Sequence, residues 1–227
     1  MKYLRFILLF NLLLSFSANA LLEVNILKSK EAAFPIVIAP FEVIGDSKDN
    51  VDIAKIIRDN LNRSGQFSAL STDSLVTNQI DFNFWKEHKK DAVVFGKVEQ
   101  ISPKVYNIYI YIYDVFSEKS LYQKKITVSN TGFRKMAHFL SDKIYYVLLG
   151  QKGSFNTRLS YVTVTDNKSG GGTYRLQISD SDGENPQTIV RQSNPILSPA
   201  WSKDQQKLAY VSFKNNRSEV FVMTPFL

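Results

Sequence analysis

The sequence predicts an α+β half, a mixed sheet with two helices, followed by an all-β half of short antiparallel strands. Three observations carry this. Strand and helix patterns alternate up to about residue 150, and beyond Phe155 the helical period disappears. The stretch SPAWSKDQQKLAYVS, residues 198–212, joins a Ser-Pro turn, a Trp, a polar turn and an apolar strand into what reads as one copy of a repeated unit.

Residues 1–20 stand apart from the fold. Lys2 and Arg5 give a positive start, an apolar run extends from Phe6 to Phe16, and Ala18-Asn19-Ala20 supplies the small residues of a cleavage site. That is the layout of a secretory signal peptide cut after Ala20. The run is interrupted by Asn11 and falls short of the roughly 20 residues that span a bilayer. The chain has no Cys, which excludes an acylated lipoprotein and any disulfide, so the core holds unaided. Its net charge of +7 is spread out, with Lys89-Lys90 and Lys124-Lys125 the densest pairs. Scattered charge on an exported chain indicates a solvated surface and argues against a nucleic-acid partner.

The mature chain opens with alternation: Leu22, Val24 and Ile26 against Glu23 and Asn25. This is a strand pattern at a free end, which either pairs within its own domain or adds to a partner's sheet. FPIVIAPF, residues 34–41, is a buried strand bounded by prolines. Asn50 suits the N-cap of a helix running to Arg63, with Ile53, Ile56, Ile57 and Leu61 on one stripe and Gly65 at the C-terminal stop. GQFSAL gives a second short strand and DAVVFGKVEQ, residues 91–100, a third, buried at Val93 and Phe95 or at Val94 according to face.

KVYNIYIYIYDVF, residues 104–116, is the strongest strand. Tyr106, Ile108, Ile110 and Ile112 share one face, and Tyr109, Tyr111 and Tyr113 share the other, where tyrosine suits a half-exposed sheet surface better than a cofactor stack. FSEKS turns the chain into LYQKKITVS, completing a hairpin. A second helix spans about 133–149, with Phe133, Met136, Ala137, Leu140, Ile144, Val147 and Leu148 at helical spacing and Gly150 and Gly153 at its end.

Beyond Phe155 the strands RLSYVTV, TYRLQIS and QTIVRQ alternate with the loop NKSGGG and the turn DSDGENP. NPILSPAWSKDQQKLAYVSF and RSEVFVM follow. This turn chemistry fits the four-stranded antiparallel blades of a β-propeller. At about 40–45 residues per blade, residues 155–227 make about one and a half blades, so the propeller is incomplete. The expected division is 1–20 signal peptide, 21–150 α+β domain and 151–227 the start of a propeller. Unclosed blades leave bare apolar faces, so residues 155–227 are expected to pack poorly alone.

The ordered series RLSYVTV, YRLQISDSDGENPQTIV, SNPILSPAWSKDQQKLAYVSF and SEVFVM resembles the TolB family, periplasmic components of the Tol-Pal system of Gram-negative bacteria. The resemblance covers essentially the whole chain and is most specific over residues 174–212. It implies a periplasmic, peripheral, non-enzymatic adaptor that links the inner-membrane protein TolA to the outer-membrane lipoprotein Pal. Such a system supports outer-membrane integrity and its constriction at division. The resemblance assigns contact with the TolA C-terminal domain to Leu21, Leu22, Glu23, Val24, Asn25, Ile26 and Leu27. The blade motif is structural, carried by Ser198, Pro199, Ala200, Trp201, Ser202 and Asp204. Pal contact requires a completed propeller. One departure is local: the family's Ser-Pro-Asp-Gly turn here reads Ser202-Lys203-Asp204-Gln205, without the preset and the permissive residue. A remnant retaining only the TolA-binding domain is the alternative, and a secreted propeller hydrolase a weaker one.

No catalytic or metal site, cofactor or small-molecule substrate is expected. His138 reads as a structural residue of the second helix and His88 as solvated within KEHKK; two separated His and no Cys do not suggest zinc. DSDGEN lacks the spacing and the bidentate Glu of a calcium loop and reads as a hairpin turn with Asp182-Gly183 at its tip. No G-x-S-x-G elbow is present, and SGGG at Ser169–Gly172 lacks the Lys-Ser/Thr and helix of a phosphate loop.

Overall fold

Strand β1 (Phe34–Ile38) is an interior strand of the first half's sheet, apolar on both faces because both faces are covered. The computed structural model describes residues 33–45, 52–73, 76, 79–166 and 171–225. β1 runs parallel to β3 (Phe67–Leu70) on one side and to β4 (Ala92–Ser102) on the other. β5 (Val105–Asp114) and β6 (Ser120–Ser129) extend the sheet antiparallel, in the order β3-β1-β4-β5-β6. The expected strand over 34–41 stops at Ile38. The chain passes Pro40 and resumes as β2 (Glu42–Ile44), which pairs parallel with β4 further along.

Helix α1 (Ile53–Arg63) connects β1 to β3 and buries Ile53, Ala54, Ile57 and Leu61. Its N-cap is Asp52, not Asn50. The Asp52 carboxylate accepts the Lys55 N–H at 2.9 Å, two residues later than the expected cap, while Asn50 lies outside the described residues. Both residue types cap well, so composition alone did not separate them. Gly65 follows the helix at φ +71°, the left-handed turn that favours glycine.

Helix α2 (Phe82–Glu87) has no counterpart in the sequence reading. The Asp81 carboxylate starts it by accepting the Phe84 N–H at 3.0 Å, and it buries Trp85 on the sheet face carrying Val37, Val93 and Phe95. The choice between Val94 and its neighbours in β4 therefore resolves as both. Val94 faces α1, and Val93 and Phe95 face Trp85. Tyr111 stacks on Phe95 at 5.0 Å, whereas Tyr109 lies between Lys97 and Lys125 and donates its hydroxyl proton to Glu99 at 2.9 Å. The tyrosines cover a sheet face.

Helix α3 (Phe133–Leu149) lies beside α1 and packs Phe133, Ala137, Leu140 and Ile144 against Tyr106, Ile108, Ile110 and Ile112. Each such Ile or Leu, fully buried, contributes about 1.5–3 kcal/mol. Gly150, at φ +70°, closes the helix by donating its N–H to the Tyr146 carbonyl at 2.9 Å.

The second half is two three-stranded antiparallel sheets. One holds β7 (Arg158–Asp166), β8 (Gly172–Asp180) and β9 (Gln187–Gln192). The other holds β10 (Ile196–Trp201), β11 (Leu208–Ser212) and β12 (Glu219–Met223). The described strands therefore form two three-stranded sheets, each one strand short of a four-stranded blade, where one complete blade and half of another were expected. Leu176, Ile178, Ile196 and Leu208 form a shared core with Val162, Tyr174, Trp201, Tyr210 and Met223. Within the whole chain the facing sides of the two sheets are packed, while Leu159 and Val164 of the first sheet and Leu197, Val220 and Val222 of the second stay exposed. Among the described residues no helix is long and apolar enough to cross a membrane.

Candidate functional site

Arg134, His138 and Ser141 recur along α3 at i, i+4 and i+7, which places them on one face of the helix. That face meets Asn60 of α1 and the β8–β9 turn, so one patch of helix touches both halves of the molecule. Asn60 is fully buried, and both its amide protons are used. One goes to Ser141 Oγ and the other to His138 Nδ1, each at 2.9 Å. The Arg63 guanidinium donates to Asn60 Oδ1 at 2.7 Å and fixes the orientation of the amide. Ser141 Oγ in turn donates to the Ala137 carbonyl at 2.8 Å.

This network selects the His138 tautomer. Nδ1 accepts from Asn60, so the neutral ring carries its proton on Nε2. Nε2 faces the Asp182 carboxylate at 3.6 Å, beyond hydrogen-bond length. His138 is 3% exposed, and burial holds its pKa below the ordinary value, with the Asp182 charge opposing that shift and Arg134 reinforcing it.

The turn from Asp180 to Asn185 holds its own shape. The Asp180 N–H donates to the Glu184 carbonyl at 2.9 Å and the Gly183 N–H to the Asp180 carbonyl at 3.0 Å, with Gly183 at φ +89°. Asn185 Nδ2 donates to Asp180 Oδ2 at 2.7 Å. Arg134 reaches across from α3, its Nε donating to Asp180 Oδ2 at 3.0 Å and its Nη2 to Asp182 Oδ2. Burial alone raises the pKa of Asp182. The Arg134 hydrogen bond, the Glu184 N–H and the charges of Arg134 and His138 outweigh burial and hold the carboxyl below its ordinary value. Desolvation likewise lowers the pKa of Arg134, and the two aspartates more than offset it.

One His and two carboxylates with ligand atoms within 4.8 Å of one another are a metal-type donor set. The chemistry here is different. The cation among these groups is the Arg134 guanidinium, and the His138 nitrogen turned toward the carboxylates bears a proton rather than a free lone pair. The cluster is an electrostatic clamp between α3 and the β8–β9 turn.

A second tie lies beside it. Asp142 accepts the N–H groups of Phe155 at 2.8 Å and Asn156 at 3.1 Å, and Gly153 passes so close that a Cβ there would overlap the Asp142 carboxylate. Phe155 packs edge-on against Tyr145 at 5.7 Å, and Ser181 Oγ donates to the Phe155 carbonyl at 2.5 Å. The connector between α3 and β7 is thus fastened to α3 and to the β8–β9 turn.

Next to the clamp lies a cavity of about 590 Å³. Thr131, Arg134, Lys135 and His138 line one wall, Arg158, Asp180 and Asn185 another, and Trp201, Ser202, Lys203 and Gln205 a third. Two residues of the expected blade motif, Trp201 and Ser202, are therefore cavity walls as well as blade structure. Ser198 and Pro199 form a bulge in β10, with Ser198 at φ +51°, and Ala200 returns to the register opposite Ala209. Asp204 serves its own turn. It accepts from Ser202 Oγ at 2.5 Å and from the Gln206 N–H at 3.1 Å, and these bonds hold its pKa down, the Ser202 bond first. Gln205 occupies the place of the family's glycine at φ +60°. The expected TolA-contacting residues, Leu21 through Leu27, lie outside the described residues.

Sequence reasoning missed Arg134 and the pairing of His138 with the turn. The available signal was a charged residue set among the apolar positions of α3, together with a turn carrying two aspartates.

Comparison with known proteins agrees with the two-part fold. The family described as "TolB amino-terminal domain" matches residues 22–121, and the one described as "TolB beta propeller domain" matches residues 145–224. The Tol-Pal system protein TolB of Ruthia magnifica subsp. Calyptogena magnifica is 57% identical over 210 residues, covering 92% of this chain and 50% of that protein. The corresponding protein of Vesicomyosocius okutanii subsp. Calyptogena okutanii is 51% identical over 208 residues, covering 92% of this chain and 49% of that one. The solved structure of TolB from Acinetobacter baumannii superposes with a TM-score of 0.74 at 33% identity, over 85% of this chain and 47% of that one. The chain spans about half the length of the curated relatives it matches.

Proposed function

We propose, from the premise that the chain belongs to the TolB family, that it acts as a periplasmic adaptor of the Tol-Pal system and carries no catalytic activity of its own. The observation that carries this reading is the presence, in order, of both family parts in one chain, with α3 fastened to the β8–β9 turn by Arg134. An adaptor that passes an event at one part to the other needs such a mechanical link between them. The polar cluster at the join supports a structural tie rather than chemistry, because Arg134, Asp180, Asp182 and Asn60 are engaged within the chain.

In this reading the exported chain begins after Ala20, and the alternating residues Leu21–Leu27 add as a strand to the TolA C-terminal domain. Backbone pairing supplies affinity, and Leu22, Val24 and Ile26 supply the side chains that one face of a receiving sheet selects. Engagement of Pal rests on propeller surface beyond the two sheets described here.

The test is direct binding of residues 21–227 to the isolated TolA C-terminal domain by calorimetry. Deleting Leu21–Leu27 is expected to weaken binding at least tenfold. An unchanged affinity removes this strand from the mechanism.

A further inference from the structure

The sheet of the first half ends at β6, and among the described residues no strand pairs with its outer side. Every second residue of this ten-residue strand turns its N–H and C=O away from β5, as an antiparallel ladder requires. The edge is not left by an unfinished blade. The described strands of its sheet and the helices that cover it all lie before Gly150, and the ties to the second half, Arg134 and Asp142, sit on α3.

The two faces of β6 differ. Tyr122, Ile126 and Val128 are half-buried and pack against the core that α3 covers. Gln123, Lys125 and Thr127 alternate with them on the opposite face, across from Tyr111, Tyr109 and Asn107 of β5. Charge along the edge has one sign. Residues 119–129 contain Lys119, Lys124 and Lys125 and no acid. Lys97 joins Lys125 over the Tyr109 ring, and Lys143 lies over the Tyr122 ring at 5.5 Å. Glu99 and Glu118 are already bonded, to Tyr109 and to Lys86.

We propose that the β6 edge takes an extended acidic segment of a partner protein as an additional strand. The outward backbone groups supply the pairing, and the two faces set the side-chain pattern. Successive side chains of an added strand fall on opposite faces. Those beside Tyr122, Ile126 and Val128 are apolar and extend the cover of the core. Those beside Gln123 and Lys125 are acidic, because opposite charges on neighbouring strands attract and like charges repel. The same lysines bar a second copy, whose own β6 would bring lysine against lysine.

The probe is a short peptide alternating glutamate with valine, and its binding to residues 21–227 is read by fluorescence anisotropy. The double substitution Lys124→Glu and Lys125→Glu should weaken binding at least tenfold. A lysine–valine peptide should bind that variant and not the wild type. Lys124→Gln with Lys125→Gln removes charge without reversing it and should weaken binding in the same direction if the reversed variant does not fold. Methylating the peptide's amides separates strand pairing from plain charge attraction. Methyl groups on the alternate set whose N–H groups point at β6 should abolish binding, and those on the other set should leave it. Deleting Leu21–Leu27 should not change the affinity. Absence of binding, equal affinity in the wild type and both double variants, or equal loss from the two methylated peptides overturns the proposal. Tighter binding after that deletion assigns the edge to the chain's own first strand, and lost binding moves the contact there; either overturns it as well.

Discussion

His138 is a buried ring whose one accepting nitrogen is already taken by Asn60. Adding a second proton at Nδ1 would set donor against donor, and Arg63 holds the amide in the orientation that prevents an easy flip. The groups facing the ring are Arg134 on its own helix, Asp180 and Asp182 on the turn, and Arg63 and Asn60 on α1. Burial lowers the pKa in the folded state, so below the ordinary histidine value of about 6.5 the unfolded chain binds more protons than the folded one. Stability is therefore retained above that value and declines as pH falls through it toward the lower folded pKa. The urea midpoint should fall between pH 7.5 and pH 5.5, and His138→Gln should flatten that decline. An equal slope in His138→Gln would move the acid sensitivity elsewhere.

Among the elements, the β10–β11 turn shows how a sequence departure becomes a local cost. Ser202 and Asp204 rebuild the turn with side-chain hydrogen bonds, including Lys207 N–H to Ser202 Oγ at 2.9 Å, while Gln205 sits at φ +60°. A non-glycine residue there is strained, and glycine relieves the strain while adding freedom to the unfolded chain. Gln205→Gly should therefore stabilise the protein by a net of about 0.5–1 kcal/mol, read as a higher melting temperature. A lower melting temperature would show that the Gln205 side chain contributes more at the cavity wall than the turn loses. The longer elements were the legible ones. β5 shows a period of two over ten residues and α3 a helical period over seventeen, so pattern alone located them. α2 has six residues, too few to display a period, and its Phe-Asn-Phe-Trp start reads equally well as loop or strand. The clamp was invisible for another reason. Arg134 lies 46 and 48 positions from its partners, and His138 lies 78 from Asn60, distances that only the folded topology closes.

At the scale of the whole molecule, Arg134 is the residue on which the union of the two halves turns. Its removal leaves Asp182, mostly buried, and Asp180 without their shared cation. Arg134→Ala should cost about 1–3 kcal/mol, less than a fully buried pair because the arginine side chain is still partly exposed. The more diagnostic outcome is cooperativity. The wild-type chain should melt in one transition and Arg134→Ala in two, with the α+β half, which has its own core, melting last. A single transition in Arg134→Ala would show that the Asp142 tie suffices alone.

The Asp142 tie and the Arg134 clamp lie side by side on α3, both acting between that helix and the start of the second half. Under tension they are two fasteners loaded together, not in sequence. Neither can slip until the other gives, so a pull applied between the halves meets their combined strength and is passed on through α3 as through a stiff lever, not absorbed by a slack hinge.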